Sequence, residues 1–285
     1  MIELAPDLIR EVVERALRED VGAGDLTTLA AVPAAARATA RFVYREPGVL
    51  CGLPVLRAVL AAVEPALVLE EHAAEGAHIA RGEAVATVSG PARGILTSER
   101  VALNLLQRMS GIATLAARYV EAVAGTGARI LDTRKTTPGL RALEKYAVRV
   151  GGATNHRFGL YDGVMLKDNH LAVLAAQGLG LAAAVRRVRE AVGPMVRVEV
   201  EVETVEQAVE AAVAGADMIL LDNMAPEQLR AAVAAIGGRA LTEASGGITL
   251  ETVRAVAESG VDYISVGALT HSARALDIGL DITLE

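Results

Sequence analysis

Eight Lys or Arg and only three Asp or Glu fall between Arg129 and Lys167, a local charge of +5. The whole 285-residue chain carries −7, so the remainder carries −12. Arginine outnumbers lysine 25 to 3, and all three lysines (Lys135, Lys145, Lys167) lie in that stretch. A positive field confined to one segment of an acidic protein points to an anionic small molecule rather than a nucleic acid. Arg141, Lys145 and Arg149 recur at every fourth position of LRALEKYAVR and read as the solvated face of a helix. Arg134, Lys135, Arg157 and Lys167 lack that spacing. They stand in loops or at strand ends, where a cation is free to meet a ligand.

Carboxylates and glycines supply the complement. Glu201 and Asp222 close the apolar runs VRVEVE and MILLD. Two carboxylates at neighbouring strand ends could hold Mg²⁺ with substrate phosphate oxygens, stabilise a cationic transition state, or pair with the basic group. Glu199 and Glu203 share the alternation of Glu201, and proximity to the strand end favours Glu201 over Glu199. Ser245-Gly246-Gly247 separates a strand from a helix starting near Thr249, where backbone N–H groups and the helix dipole can receive an anion. Gly267 ends the next strand, and His271 follows it. Of the five histidines, His156 is the best site candidate, because it sits between Asn155 and Arg157. His170 adjoins Lys167-Asp168-Asn169 and reads as a supporting residue. His72 and His78 read as surface residues.

The elements that must position these residues follow from a second rhythm. After Gly127, apolar runs of strand length end in polar residues and alternate with Ala-rich amphipathic segments. Taking Glu201, Asp222, Ala244 and Gly267 as strand ends gives intervals of 21, 22 and 23 residues, one strand plus one helix plus two short loops. Unalternated apolar strands suit a parallel sheet covered on both faces, and regular right-handed βα repeats favour a β/α barrel. About six strands are countable, so the barrel is smaller than the usual eight or incomplete. Chemistry in such barrels sits at the C-terminal strand ends, where all the polar residues above stand.

The first part of the chain reads differently. A helix is predicted over Pro6–Arg18, followed by short β-like runs from Ala38 to Val88 around a helix, PVLRAVLAAV. Thr97–Ala124 reads as a long helix or a pair broken near Ser110-Gly111. The expected fold is α/β: an N-terminal α/β sandwich domain over residues 1–111, then a β/α barrel domain over 112–271, with the tail 272–285 packing back on the sandwich.

Several classes are excluded. Trp is absent and Phe plus Tyr number seven, too few for a stacked-base platform. One cysteine, Cys51, forms no internal disulfide and fits a reducing cytoplasm. No signal-peptide pattern and no uninterrupted apolar run of about 18 residues appears, so neither export nor a membrane span is expected. The signatures GxxxxGK[ST], strand-linked GxGxxG and GxSxG are missing. EGAHIARGEAVATV resembles lipoyl- and biotinyl-carrier domains, but residues 1–134 contain no lysine to carry the cofactor.

The strings EDVGAGDLTT, SERVALNLLQRMSGIAT, DTRKTTPGLR, NHRFGLYDGVMLKDNH, VEVEVE, LLDNM, EASGGI and DYISVGALTHSA occur in that order. Together they resemble the quinolinate phosphoribosyltransferase family, from about residue 19 to the C-terminus. Ala153 departs from it, where the family commonly has a third glycine before NHR. The resemblance implies a reaction of quinolinate with 5-phosphoribosyl-1-diphosphate to nicotinate mononucleotide, diphosphate and CO₂. It implies Mg²⁺ and a homodimer with an incomplete barrel. Arg134, Arg157 and Lys167, with Thr133 and His156, would hold the two quinolinate carboxylates, and Arg100 would reach the partner's site. Lys135, Glu201 and Asp222 would serve the phosphoribosyl diphosphate and its metal. Ser245, Gly246, Gly247 and Gly267 would hold the 5-phosphate, with His271 close by. A related heterocycle phosphoribosyltransferase is the alternative reading. A non-catalytic relative would be expected to lose part of this charged set, and the set is intact.

Overall fold

The computed structural model describes residues 4–284. In chain order its first elements are α1 (Pro6–Asp20), α2 (Leu26–Ala31), β1 (Arg37–Tyr44), β2 (Gly48–Val49), α3 (Leu53–Val63), β3 (Val68–Glu71), β4 (His78–Ile79), β5 (Ala84–Pro91) and α4 (Ala92–Ala122). There follow β6 (Arg129–Leu131), α5 (Arg141–Val150), β7 (Val164–Leu166), α6 (Asp168–Ala175), α7 (Leu181–Ala191), β8 (Val198–Val202) and α8 (Val205–Val213). The chain ends with β9 (Met218–Asp222), α9 (Pro226–Ile236), β10 (Leu241–Ser245), α10 (Val253–Ala257), β11 (Tyr263–Ser265), α11 (Ala268–His271) and β12 (Ile278–Leu284).

These elements form two compact units. One holds the residues up to Ala117, Thr136–Gly152 and those from Ala268 on; the other holds Arg118–Lys135 and Ala153–Gly267. The compact units are therefore not continuous segments of the chain. The segment around α5 joins the first unit because buried Glu144 accepts Arg108 Nη2 at 2.8 Å and the Thr137 N–H at 3.0 Å. The last strand, β12, pairs antiparallel with β1 from Ala38↔Leu284 to Tyr44↔Ile278.

The first unit is built on a four-stranded antiparallel sheet, β12-β1-β5-β3. In α1, Pro6 occupies the first turn, where its missing N–H costs nothing, and Ile9, Val12 and Val13 form the buried stripe. Of the two readings of Thr97–Ala124 the long helix holds, and α4 runs through Ser110-Gly111 unbroken. Gly111 serves close approach instead: a Cβ there would overlap the backbone carbonyl of Arg274. Lys145 is a second correction. It is 2% exposed rather than solvated, because α5 is enclosed within its unit, with α11 against it and Ala113 and Ala116 against Gly151. Its helix-mate Arg141 is half-buried, its Nε donating to Thr136 Oγ1 at 2.9 Å.

The second unit is the expected barrel of six strands. They run parallel in the order β6-β11-β10-β9-β8-β7. A single bridge, Leu131↔Thr154, adds to the free side of β6. Among the described residues no ladder joins that side to β7, so the barrel stays open there. The strands are apolar enough to be covered on both faces: Val198, Val200, Val202, Ile219, Leu220 and Leu221 are all buried. Helix α8 packs on β8 and β9 through Ala208, Ala211 and Ala212. Their small side chains let helix and sheet lie close.

Candidate active site

Alternation along three neighbouring strands sets the site in layers. Glu201, Asp222 and Ser245 close β8, β9 and β10, with Ser265 closing β11 beside them. Two residues earlier on each strand stand Glu199, Leu220, Glu243 and Tyr263, and side chains at i and i+2 share a face. The upper layer opens into a cavity of about 620 Å³ at the C-terminal strand ends. Thr133, Arg134 and Lys135 enter it from the loop after β6, His156 and Arg157 from the segment before β7, and Lys167 from the end of β7. Glu201, Asp222, Ser245, Gly246 and Gly247 complete the lining.

Most of the residues singled out from sequence therefore meet in one cavity. Gly267 lies two residues beyond β11, half-buried, and is not among the lining residues of that cavity. Arg100 and His271 belong to the first unit. Arg100 lies 3.9 Å from Glu99, and His271 Nδ1 lies 2.6 Å from Ser272 Oγ.

The cationic wall has a rigid base. Asp132, fully buried, accepts Asn155 Nδ2 at 2.6 Å and the His156 N–H at 2.8 Å. That fixes the NHR segment against the end of β6. Arg157 Nη1 donates to Gly163 O at 3.0 Å, which aims the guanidinium from its loop. Burial, and then the neighbouring Arg134 charge, lower the Arg157 pKa. Two guanidiniums held that close cost energy unless an anion joins them. Lys167 Nζ lies 2.5 Å from Glu201 Oε2. Burial, and then the charge of Glu201, raise the Asp222 pKa. That mutual repulsion of Glu201 and Asp222 is what a divalent cation would relieve, so the pair fits Mg²⁺.

His156 is placed differently from a simple carboxylate ligand. Its Nδ1 accepts the Arg157 N–H at 2.7 Å, and its Nε2 lies 3.0 Å from Glu199 and 3.4 Å from Glu243. Both carboxylates are more than nine-tenths buried. Burial alone would lower the imidazole pKa, but hydrogen bonds and charge from Glu199 and Glu243 push it up to about 10. Burial raises the Glu199 pKa. The Arg157 N–H aimed at Nδ1 opposes the rise of the imidazole pKa, because it favours the tautomer with the ring proton on Nε2, between the two carboxylates. His156, Glu199 and Glu243 are also close enough to hold a cation. A metal-bound histidine ordinarily donates from its other nitrogen, however, and here that nitrogen accepts.

Glu199 and Glu243 received no role from sequence, although the i, i+2 relation to Glu201 and Ser245 was the signal for both. Met165, Leu220, Asn223 and Ser265 also line the cavity. His170 supports Lys167 as expected, its Nδ1 accepting the Lys167 N–H at 3.0 Å. A second cavity, of about 420 Å³, lies at the N-terminal strand ends. It is lined by Met195, Met218, Leu241 and Tyr263 and shares His156 and Arg157 with the first.

A parallel, incomplete β/α barrel that gathers cationic and acidic side chains in one cavity at its strand ends is a site of the class that can receive a small anionic ligand. The family follows from comparison with known proteins. Residues 25–110 match the quinolinate phosphoribosyl transferase N-terminal domain, and residues 112–281 match the C-terminal domain. The chain belongs to the quinolinate phosphoribosyltransferase family. It is 48% identical to a nicotinate-nucleotide pyrophosphorylase [carboxylating] of Mycobacterium leprae, covering 97% of this chain and 98% of that protein. It is 44% identical to a probable nicotinate-nucleotide pyrophosphorylase [carboxylating] of Bacillus subtilis, covering 97% and 94%. The structure of NadC from Streptococcus pyogenes superposes with a TM-score of 0.95 at 42% identity, over all of both chains.

Proposed function

We propose that the protein transfers the phosphoribosyl group of 5-phosphoribosyl-1-diphosphate to quinolinate with loss of one carboxylate as CO₂, giving nicotinate mononucleotide and diphosphate in NAD biosynthesis. The observation that carries this reading is one cavity that holds Arg134, Lys135, Arg157 and Lys167 together with Glu201, Asp222 and the Ser245–Gly247 loop.

A pyridine bearing two carboxylates needs several cations, and planar guanidinium forks match carboxylates. In this reading Arg134, Arg157 and Lys167 hold quinolinate, with Thr133 and the cluster-bound ring of His156 shaping the pocket. Quinolinate displaces the Lys167–Glu201 pair, taking Lys167 and releasing Glu201 toward the ribose. Lys135 faces the departing diphosphate. Ser245, Gly246 and Gly247 receive the 5-phosphate through backbone N–H groups, with Gly267 and His271 as flanking contributors. Glu201 and Asp222 would hold Mg²⁺, which when bound neutralises diphosphate charge. As the anomeric C–O bond breaks, the same two carboxylates face an oxocarbenium-like sugar. The quinolinate nitrogen takes the anomeric carbon and becomes a pyridinium. The adjacent C–C bond then breaks with its electron pair left on the ring carbon beside N⁺, CO₂ departs, and a proton takes its place. No nucleophilic side chain is needed.

We further propose that the protein works as a cytoplasmic homodimer, with Arg100 contributed to the partner's site. Among the described residues no helix is long and apolar enough to cross a membrane. Mixing an Arg100→Ala with a Lys167→Ala variant should restore part of the activity lost in each, and no recovery after verified subunit exchange would refute the sharing. The substrate assignment is tested by supplying the phosphoribosyl donor and Mg²⁺ with either quinolinate or nicotinate. Nicotinate mononucleotide is expected from quinolinate alone; turnover of nicotinate but not quinolinate would establish the related heterocycle transferase instead.

A further inference from the structure

Asn223, directly after β9, is the one non-glycine residue with a positive φ, 54°, among those described. Asparagine tolerates the left-handed region better than most residues, but the conformation still has to be held in place, and such strain gathers at functional sites. Three contacts hold it. Its N–H donates to Ser245 O at 2.9 Å, extending the β9–β10 ladder one bond beyond the Asp222↔Ser245 pair. Its side-chain Nδ2 donates to Asp222 Oδ2 at 2.7 Å. Its Oδ1 lies over Gly246, so closely that a Cβ at Gly246 would overlap it. Gly246 and Gly247 have φ of 101° and 60°, so the loop shape is one that only glycine adopts without strain.

We infer that Asn223 is a positioning residue that locks the Asp222 carboxylate and the Ser245–Gly247 loop to each other, so that the two ends of the phosphoribosyl donor are gripped as one unit. The turn into the left-handed region sends the side chain back over the strand end. One amide group then spans the gap: its nitrogen restrains the carboxylate, and its oxygen fills the hollow that Gly246 leaves. The cation-lined wall that receives quinolinate has no part in this lock.

The inference rests on the proposed placement of the phosphoribosyl donor, and the experiment separates the two. Asn223→Gly keeps the backbone geometry and removes the amide. It should lower kcat/KM for 5-phosphoribosyl-1-diphosphate about tenfold or more, the worth of a hydrogen bond to a charged group, while the quinolinate KM stays within about twofold. Added to Asp222→Asn, it should cost nothing further, because its partner is already altered. Asn223→Asp tolerates the same φ and sets an oxygen against Asp222. It should show the same donor-specific loss, and it stands in if the glycine variant fails to fold. A donor kcat/KM unchanged in Asn223→Gly would overturn the inference, as would equal loss for both substrates or full additivity with Asp222→Asn. An Asp222→Asn variant with an unimpaired donor kcat/KM would instead overturn the placement of the donor.

Discussion

Charged residues serve opposite ends in the two units. In the first, they satisfy one another and hold segments together. Arg108 donates to buried Glu144 and to the carbonyls of Ala273, at 2.7 Å, and Thr270. The Arg274 guanidinium grips both oxygens of Glu46 at 2.5 Å, and Arg45 pairs with Asp281. In the barrel unit, Arg189–Asp217 and Arg254–Glu258 are pairs of the same kind, but the cavity also brings like charges together: Arg134 beside Arg157, Glu201 beside Asp222, Glu199 beside Glu243. Folding gains nothing from such crowding. A ligand, a metal or a proton would offset that cost, so the cavity's charges mark chemistry and the sandwich's mark structure.

The sharpest way to break that contrast is to remove a charge from each unit and compare what fails. Lys135→Ala or Glu201→Gln should lower kcat/KM by roughly a thousandfold, the worth of about 4 kcal/mol of transition-state stabilisation, with the melting temperature near that of the parent. Steady-state kinetics and calorimetry check this together; undiminished activity in either variant would sink the mechanism. Arg108→Ala should do the reverse. Leaving Glu144 buried without its guanidinium should cost about 3–5 kcal/mol of stability, measured by denaturant unfolding, while the folded fraction keeps its specific activity.

The buried histidine sharpens the contrast further. His156→Ala should destabilise the protein by a few kcal/mol at pH 7, because two buried carboxylates then face each other. Burial raises the Glu199 pKa above its unfolded value, so the protonated form favours the native state. The deficit should therefore grow as pH rises from the unfolded glutamate range through the raised Glu199 value, and shrink as pH falls back toward that range. Urea midpoints across pH would show this, and a pH-independent deficit would mean the cluster is not electrostatic. The smallest effect belongs to the first unit. The Arg274 guanidinium is the main cause holding Glu46 down to about 2. Its contribution is present above the unfolded glutamate pKa and lost as pH falls toward 2. For so exposed a pair it should amount to about 1 kcal/mol at most, seen as a difference between parent and Glu46→Gln that vanishes in acid.

Sequence reasoning reached the barrel because its strands repeat at even intervals and end in polar residues, a signal that needs no tertiary information. It reached most of the cavity for the same reason: Thr133, Arg134, Lys135, Lys167, Glu201, Asp222 and Ser245 all stand at strand ends. It failed where contacts distant in sequence decide. Gly111 leaves a broken and an unbroken helix both open, and only the Arg274 backbone packed against it shows that it is a contact glycine inside one helix. Lys145 reads as a surface residue because helical spacing cannot reveal that α5 is enclosed on several sides. Glu199 and Glu243 lie one layer below the strand ends, and their meeting at His156 depends on three segments far apart in the chain.

The central claim is that the crowded cations of the barrel receive a pyridine with two carboxylates, one of which leaves. Quinolinate labelled in the carboxyl group next to the ring nitrogen tests it most directly. With 5-phosphoribosyl-1-diphosphate and Mg²⁺, labelled CO₂ should be released in equal measure with diphosphate and nicotinate mononucleotide, and none should appear without the phosphoribosyl donor. Diphosphate formed with the label retained, or no turnover of quinolinate at all, would contradict the account.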